Sequence, residues 1–335
     1  FLGTHHESLI VAPIDLVEAA KNISEIYDEP FADSSQIPTY LISKFAKEKV
    51  SVVLTGDGGD ELFAGYNRHI ALDRHQWIFR IPSVIRVILS RILLSVPITW
   101  YARLAGVLNL DRRIPNFESK IVKAAKVLSS HSIYDGYEKL TRSWDSGREL
   151  VKGVLGEKSL EHRNRLLGLG DGSKLKDMMR WDVESYLADG VLVKLDRATM
   201  SVSLEGRVPF LNHSFAEYAW GIPTHFNIDG DVGKILLRKV LARYLPEKLT
   251  NKPKRGFSLP MAEWLRGPLR SWADELLSIS RISEDGYLEP DLIQEKWMAH
   301  KKGLKDWSQD LWCVLIFQMW LDNNRSVSQL DPWNI

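Results

Sequence analysis

The chain has 335 residues, 44% of them hydrophobic and 12 of them Trp, enough for a packed core in one large domain or two ordinary ones. A net charge of +1 gives no global pull toward nucleic acid or an acidic membrane, so the expected partner is a small molecule and neither of those. The single cysteine, Cys313, excludes an internal disulfide framework and a Cys-rich zinc site and fits a reducing, cytoplasmic compartment.

The opening FLGTHHESLIVAP starts at Phe1 and lacks the basic-then-apolar order of a signal peptide, so the chain reads as a piece of a longer protein. Glu7 to Val11 is a weak strand candidate. Asp15 to Tyr27 follows with a helical period that puts Leu16, Ala20 and Ile23 on one face. Glu29 to Pro38 reads as a polar loop and Pro38 to Lys49 as a second helix. Ser51 to Leu54 is then a β-branched run of the kind that forms a buried parallel strand. This β-loop-α-β order predicts an α/β fold with few parallel strands.

The strand runs into TGDGGDELFAGY, where Gly56, Gly58 and Gly59 end it and three carboxylates, Asp57, Asp60 and Glu61, follow. Glycines let a ligand approach main-chain N–H groups closely. Mg²⁺ takes hard oxygen ligands and is bound by one or two carboxylates together with substrate phosphates, which makes Asp60 the first candidate ligand. The same residues would also make a solvated Asp-Gly turn.

Beyond Arg68 no further strand is predicted, and a boundary near residue 70 separates an α/β part, 1–70, from a mainly helical part, 71–335. Ile78 to Leu110 is the most apolar region. Arg80, Pro82, Arg86, Arg91 and Pro97 break it into a pair of amphipathic helices, expected to pack through Ile85, Val87, Ile88, Leu93 and Leu94. The basic stretch from Arg74 to Lys126 then reads as their solvated face. Glu157 to Gly172 is a polar connection. In Asp189 to His213, the charges Lys194, Asp196, Arg197, Glu205 and Arg207 lie among apolar residues and require partners, either as ion pairs or as ligand contacts.

Gly233 to Pro260 begins as an amphipathic helix, ends near Pro246 and continues into a basic loop with Lys252, Lys254, Arg255 and Gly256. That loop is either solvated surface or a means of neutralising a leaving pyrophosphate. The tail helix with Trp307, Trp312, Phe317 and Trp320 is expected to be core, with Cys313 an inert, small buried residue in it. No H-E-x-x-H, G-x-S-x-G or Walker motif is present.

TGDGGDELFAGYNRH, LVKLDRATMSVSLEGRVPFLNH, GKILLRKVLARYLPEKLTNKPKRGFSLP and DLWCVLIFQMW together resemble, in this order, the synthetase domain of glutamine-dependent asparagine synthetases. The resemblance covers nearly the whole chain and is weakest from about Arg74 to Asp177. It implies a pyrophosphatase-loop, Rossmann-like ATPase core of which the later strands are present. It also implies a two-step reaction with ATP and Mg²⁺: a carboxylate is adenylated, then ammonia displaces AMP to give an amide. By that analogy Thr55, Gly56 and Gly58 line the adenylate, Asp57 sits by the acyl-adenylate and incoming ammonia, and Asp60 binds Mg²⁺ with pyrophosphate. Lys254 would stabilise phosphate charge, and Asp196, Arg197, Glu205 and Arg207 would support the site from behind.

Well-known members of the family carry Glu where this chain has Asp57, an Asp form resembling an ordinary branch variant, and place threonines and an arginine for aspartate where it reads Phe31, Ala32, Asp33 and Ser34. The acceptor is therefore aspartate, to give asparagine, or another carboxylate such as a sugar acid. Ring closure of the β-lactam synthetase kind and a non-catalytic helical interaction module are the remaining alternatives. The family's serine-glycine pyrophosphate loop and its glutaminase domain with an N-terminal cysteine are not found in the sequence and would lie upstream of Phe1. The fragment alone is therefore expected to be inactive and prone to self-association as a homo-oligomer.

Overall fold

A computed structural model describes residues 2–11, 13–96, 100–101, 117–144, 147–153, 172–250 and 259–328. Residues 2–11 hold no regular structure, so the strand expected at Glu7 to Val11 does not form. Helix α1, Pro13–Ile26, opens on proline at its first position, where the missing N–H costs nothing. Helix α2, Gln36–Lys47, ends in basic residues Lys44 and Lys47 that favour its C-terminal dipole. Strand β1, Val52–Leu54, forms as predicted and leads through the glycine loop into the single turn α3, Gly59–Leu62, and then α4, Asn67–Arg74.

The parallel partner of β1 lies far along the chain. Strand β2, Glu205–Arg207, pairs with it in the register Val52 to Glu205, Val53 to Gly206 and Leu54 to Arg207. This corrects the expectation of no strand after Arg68, because the pairing is set by tertiary contacts that three residues of charge and glycine do not advertise. It also corrects the picture of β1 as fully buried: Val53 is half-covered, whereas Leu54 is 75% exposed on an open face. A short antiparallel pair, β3 at Ile228–Asp229 and β4 at Val232–Gly233, is a second departure.

Between β1 and β2 in the chain come α5, Ser83–Ser95, α6, Phe117–Leu128, α7, Ile133–Thr141, and α8, Lys174–Trp181. Ser132 and Ser173 cap α7 and α8 by accepting from the N–H groups of Asp135 and Lys176. The α8 helix continues as a π-helical stretch, Asp182–Leu192, into α9, Val193–Met200. Wide π turns are rare and occur mostly at functional sites. After β2 follow α10, His213–Gly221, and, beyond β4, α11, Ile235–Leu241. The C-terminal part is α12 to α16: Met261–Arg266, Arg270–Leu276, Ile279–Asp285, Pro290–Lys301 and Ser308–Ser328.

The largest core joins the two ends of the chain. Ile23, Tyr27 and Ile37 from α1 to α2 are buried with Leu265, Leu269, Ile293, Trp297, Trp312 and Leu315. Burying each such aliphatic side chain contributes about 1.5–3 kcal/mol relative to exposure. Of the four expected tail aromatics, Trp312 is fully buried, while Trp307, Phe317 and Trp320 are partly covered. A second core holds Leu72, Ile133, Tyr137, Met178, Met179 and Trp181. A third, smaller one packs Leu62 and Phe63 of the glycine loop's turn against Phe210, Leu211 and Ala219.

One helix is turned inside out relative to expectation. Ile85, Ile88 and Leu94 of α5 are exposed, and the side facing α6 carries Arg86 and Ser90. Arg86 is drawn inward because its guanidinium satisfies the carbonyls of Leu128 and Ser130, at 3.2 and 2.5 Å, at the C-terminal end of α6. Ser90 donates to the Ala125 carbonyl at 2.8 Å.

Candidate active site

The candidate site lies where β1 ends. The Thr55 N–H donates to the Arg207 carbonyl at 2.9 Å, extending the β1–β2 ladder by one bond and fixing the exit of the strand. Thr55 Oγ1 is buried and has no hydrogen-bond partner. Gly56 is exposed and faces open space, and Asp57 beside it is half-buried. At Gly58 the backbone adopts φ +82°, and a Cβ there would stand 2.7 Å from Leu211 Cδ2. Only glycine meets both demands.

Asp60 is gripped from outside its own segment. Its Oδ1 lies 3.0 Å from Lys234 Nζ. Its carbonyl accepts from the Gly65 N–H at 2.8 Å, which folds the loop back over it. A Cβ on Gly65 would fall 2.0 Å from Asp60 Oδ1 and 2.2 Å from Lys234 Cε, so the absence of a side chain at residue 65 is what lets the ion pair form. Lys234 itself holds φ +56°, an uncommon conformation for a side-chain-bearing residue, and its N–H donates to the Phe63 carbonyl at 3.2 Å. The β3–β4 pair thus delivers a lysine to the acidic loop. Sequence reading missed Lys234, although a lysine after a glycine-containing turn and before an amphipathic helix was visible in DGDVGKILLRK.

The third loop carboxylate turns the other way. Glu61 is buried and accepts a hydrogen bond from Tyr66 Oη, so the three carboxylates do not form one cluster. Desolvation pushes the Glu61 carboxyl above its ordinary range, against the lowering effect of Tyr66. Behind it lies a buried network. Asp182 Oδ2, at the first residue of the π-helical stretch, accepts from Arg68 Nη2 at 2.7 Å, Tyr137 Oη at 2.5 Å and His69 Nε2 at 2.8 Å. Burial alone would raise Asp182, but the His69 hydrogen bond and the Arg68 charge hold its carboxyl below the usual range. Desolvation, with the charge of Asp33 adding to it, moves the Tyr186 phenol up to about 12. The network ties α4, α7 and the π-helical stretch to the loop that carries Asp60.

The remaining sequence-predicted residues are spread out. Arg197 pairs with Asp28 at 2.5 Å, and both it and Asp196 line an open cleft of about 560 Å³ with Tyr27, Glu29 and Leu192. Glu205 and Arg207 pair with each other on the exposed side of β2, and only Arg207 reaches the loop, through its carbonyl. Lys194 lies 3.6 Å from Asp33 and donates to Ser35 Oγ at 3.0 Å. Lys254, with the whole loop 251–258, lies outside the described residues. Cys313 is half-buried in α16, and burial raises its thiol.

A glycine-hinged acidic loop at the end of a parallel strand, on a mostly helical frame, fits an α/β protein, and the chain is a member of the asparagine synthase family, whose family model matches residues 1–322. It is similar to glutamine-hydrolyzing asparagine synthetase 1 of Bacillus subtilis (strain 168), at 30% identity over 319 residues that cover 95% of this chain and 48% of the relative. A second relative, glutamine-hydrolyzing asparagine synthetase 3 of the same organism, is 24% identical over 303 residues, 86% of this chain and 41% of its own length. A shorter stretch of 78 residues is 38% identical to the glutamine-hydrolyzing asparagine synthetase of Rattus norvegicus, covering 22% of this chain and 14% of the relative. The chain spans about half the length of the first relative or less of the others.

Proposed function

We propose that this chain is the synthetase part of an ATP-dependent amide-forming ligase, with a core of the pyrophosphatase-loop type that the resemblance implies. The observation that carries the reading is the Asp60–Lys234 pair, 3.0 Å apart at the mouth of a glycine loop that ends a parallel strand. In such sheets ligands bind outside the carboxyl ends of the strands. An acid and a lysine held together there suit a site that handles phosphate and its counter-ion.

The residues fit a divalent cation of the hard, oxygen-seeking kind. Asp60, with Asp57 nearby and the unpartnered buried Oγ1 of Thr55, offers oxygen donors only. Among the described residues no group of three His, Cys, Asp or Glu side chains gathers, so such a cation would complete its shell with substrate oxygens and water, as Mg²⁺ does. When bound, it would neutralise charge on the phosphates of ATP.

In the proposed reaction the substrate carboxylate attacks the α-phosphorus of ATP. A carboxyl–phosphate bond forms, the bond to the β-phosphate oxygen breaks, and pyrophosphate leaves. Lys234 would hold positive charge beside the leaving pyrophosphate as its negative charge builds, and the resemblance assigns Lys254 the same task. Ammonia, drawn from glutamine as the relatives' names indicate, then attacks the activated carbonyl carbon, and the bond to AMP breaks. Asp57 stands at the loop's tip to orient ammonia and take its proton.

Aspartate is the first substrate to test. A second reading, amidation of another carboxylate such as a sugar acid, draws support from Asp33, a carboxylate held by Lys194 in the segment where resembling proteins are expected to grip aspartate. ATP–pyrophosphate exchange by a protein carrying this chain, measured with aspartate and with uronic acids, separates the two. Exchange with neither class of acid would overturn the proposed function.

A further inference from the structure

The basic segment 74–126 has no part in the proposed chemistry. It holds ten Lys and Arg against two acids, a local net charge of +8 in a chain whose total is +1. At its centre α5 presents Val84, Ile85, Ile88, Leu89, Ile92 and Leu94 to solvent, Val84 being 68% and Ile92 56% exposed. Residues 84, 88 and 92, with 85 and 89, recur at the spacing of one helix face. The opposite face carries Arg86 and Ser90, which are buried against α6.

An amphipathic helix packed on a globular body normally turns its apolar stripe inward. Here the apolar stripe faces out. Exposed Trp77 precedes the helix and exposed Trp100 follows it, the latter carried by a segment whose neighbour Tyr101 donates to the Leu93 carbonyl at 2.8 Å. Exposed Arg80 lies before the stripe, Arg91 within α5, and Lys120 and Lys123 on the adjoining α6. Aliphatic stripe, flanking Trp and surrounding cations are the components of a helix that lies in the plane of a membrane interface.

Charge chooses the occupant. A second copy would bring the exposed Arg80, Arg91, Lys120 and Lys123 against their own counterparts, and like charges at close range repel. An anionic surface is complementary instead. Among the described residues no helix is long and apolar enough to cross a membrane, so the contact would be superficial.

We propose that the outward face of α5, with the cations around it, docks this protein on an anionic lipid surface. This departs from the expectation of no membrane partner, which rested on a total charge that conceals the local one. Co-sedimentation of the full chain with vesicles tests it. Binding is expected to vesicles of phosphatidylcholine with phosphatidylglycerol, to be weak or lost on phosphatidylcholine alone, and to fall as salt rises. Replacing Arg80→Gln and Arg91→Gln should weaken it by about 5-fold each.

The double variant Ile88→Asp, Ile92→Asp should abolish binding. Its circular dichroism melt should stay unchanged, because both side chains are exposed. Equal binding by the aspartate variant, binding indifferent to the anionic lipid, or no binding at low salt would each overturn the proposal. So would a concentration-dependent dimer in light scattering that the aspartate variant dissolves, since the face would then belong to a second copy.

Discussion

Replacing Asp182 with Asn isolates the buried network behind the candidate site. A single oxygen of a fully buried carboxylate accepts from a guanidinium, an imidazole and a phenol, at 2.7, 2.8 and 2.5 Å. An asparagine keeps the shape but removes the charge, leaving Arg68 inadequately countered. Breaking a buried pair by changing one partner costs about 3–5 kcal/mol, and about 4 kcal/mol lowers the folded-to-unfolded ratio about 1000-fold. Urea unfolding followed by circular dichroism at pH 7 measures the difference. The pH dependence has a definite sign. The folded-state pKa of Asp182 is depressed, so its contribution is present above the unfolded carboxylate value of about 3.9 and is lost as pH falls through the folded value. The gap between wild type and Asp182→Asn should therefore be full at neutral pH and close in acid. A loss below about 1 kcal/mol at pH 7 would refute the reasoning, as it is the size of an ordinary neutral hydrogen bond.

Gly58→Ala forces a side chain into φ +82° and to 2.7 Å from Leu211 Cδ2, and should cost about 2–4 kcal/mol in a thermal melt; an unchanged melting temperature would show that the loop relaxes freely. Gly65→Ala pushes Asp60 and Lys234 apart while leaving the cores intact, so pyrophosphate exchange should fall at least about 10-fold with a melting shift of only a few degrees. If stability and exchange fall together, or neither does, the pair is not what Gly65 accommodates. Cys313, half-buried with its thiol raised by burial, should react with a disulfide reagent at pH 8 at least about 10-fold more slowly than free cysteine.

The local half of this structure was legible in sequence. β1, the glycine loop and α2 announced themselves through β-branched residues, clustered glycines and a helical period. What was not legible depends on residues far apart. Asp182 meets His69 across more than a hundred positions, and β2 is three residues of no strand character that pair only because β1 is there. Glu61 sits one residue from Asp60 on a helical turn, about 100° round, so it faces inward while Asp60 faces out; a list of carboxylates in a loop carries no such direction. Lys234 was overshadowed by the more basic loop around Lys254. The α5 helix was read correctly as amphipathic and with the wrong face inward, since periodicity shows that a helix has two faces and not which one meets the protein.

The account turns on Asp60 as the residue through which this loop handles the phosphates of ATP. Carboxylate-dependent ATP–pyrophosphate exchange, measured in a protein carrying this chain with and without Asp60→Asn, tests that most directly. The replacement keeps the size of a half-exposed side chain, so the fold should melt as before. Exchange should drop at least about 100-fold, the scale of losing a principal contact to a phosphoryl group in the transition state. Exchange that proceeds at the wild-type rate in a folded Asp60→Asn protein would contradict the assignment.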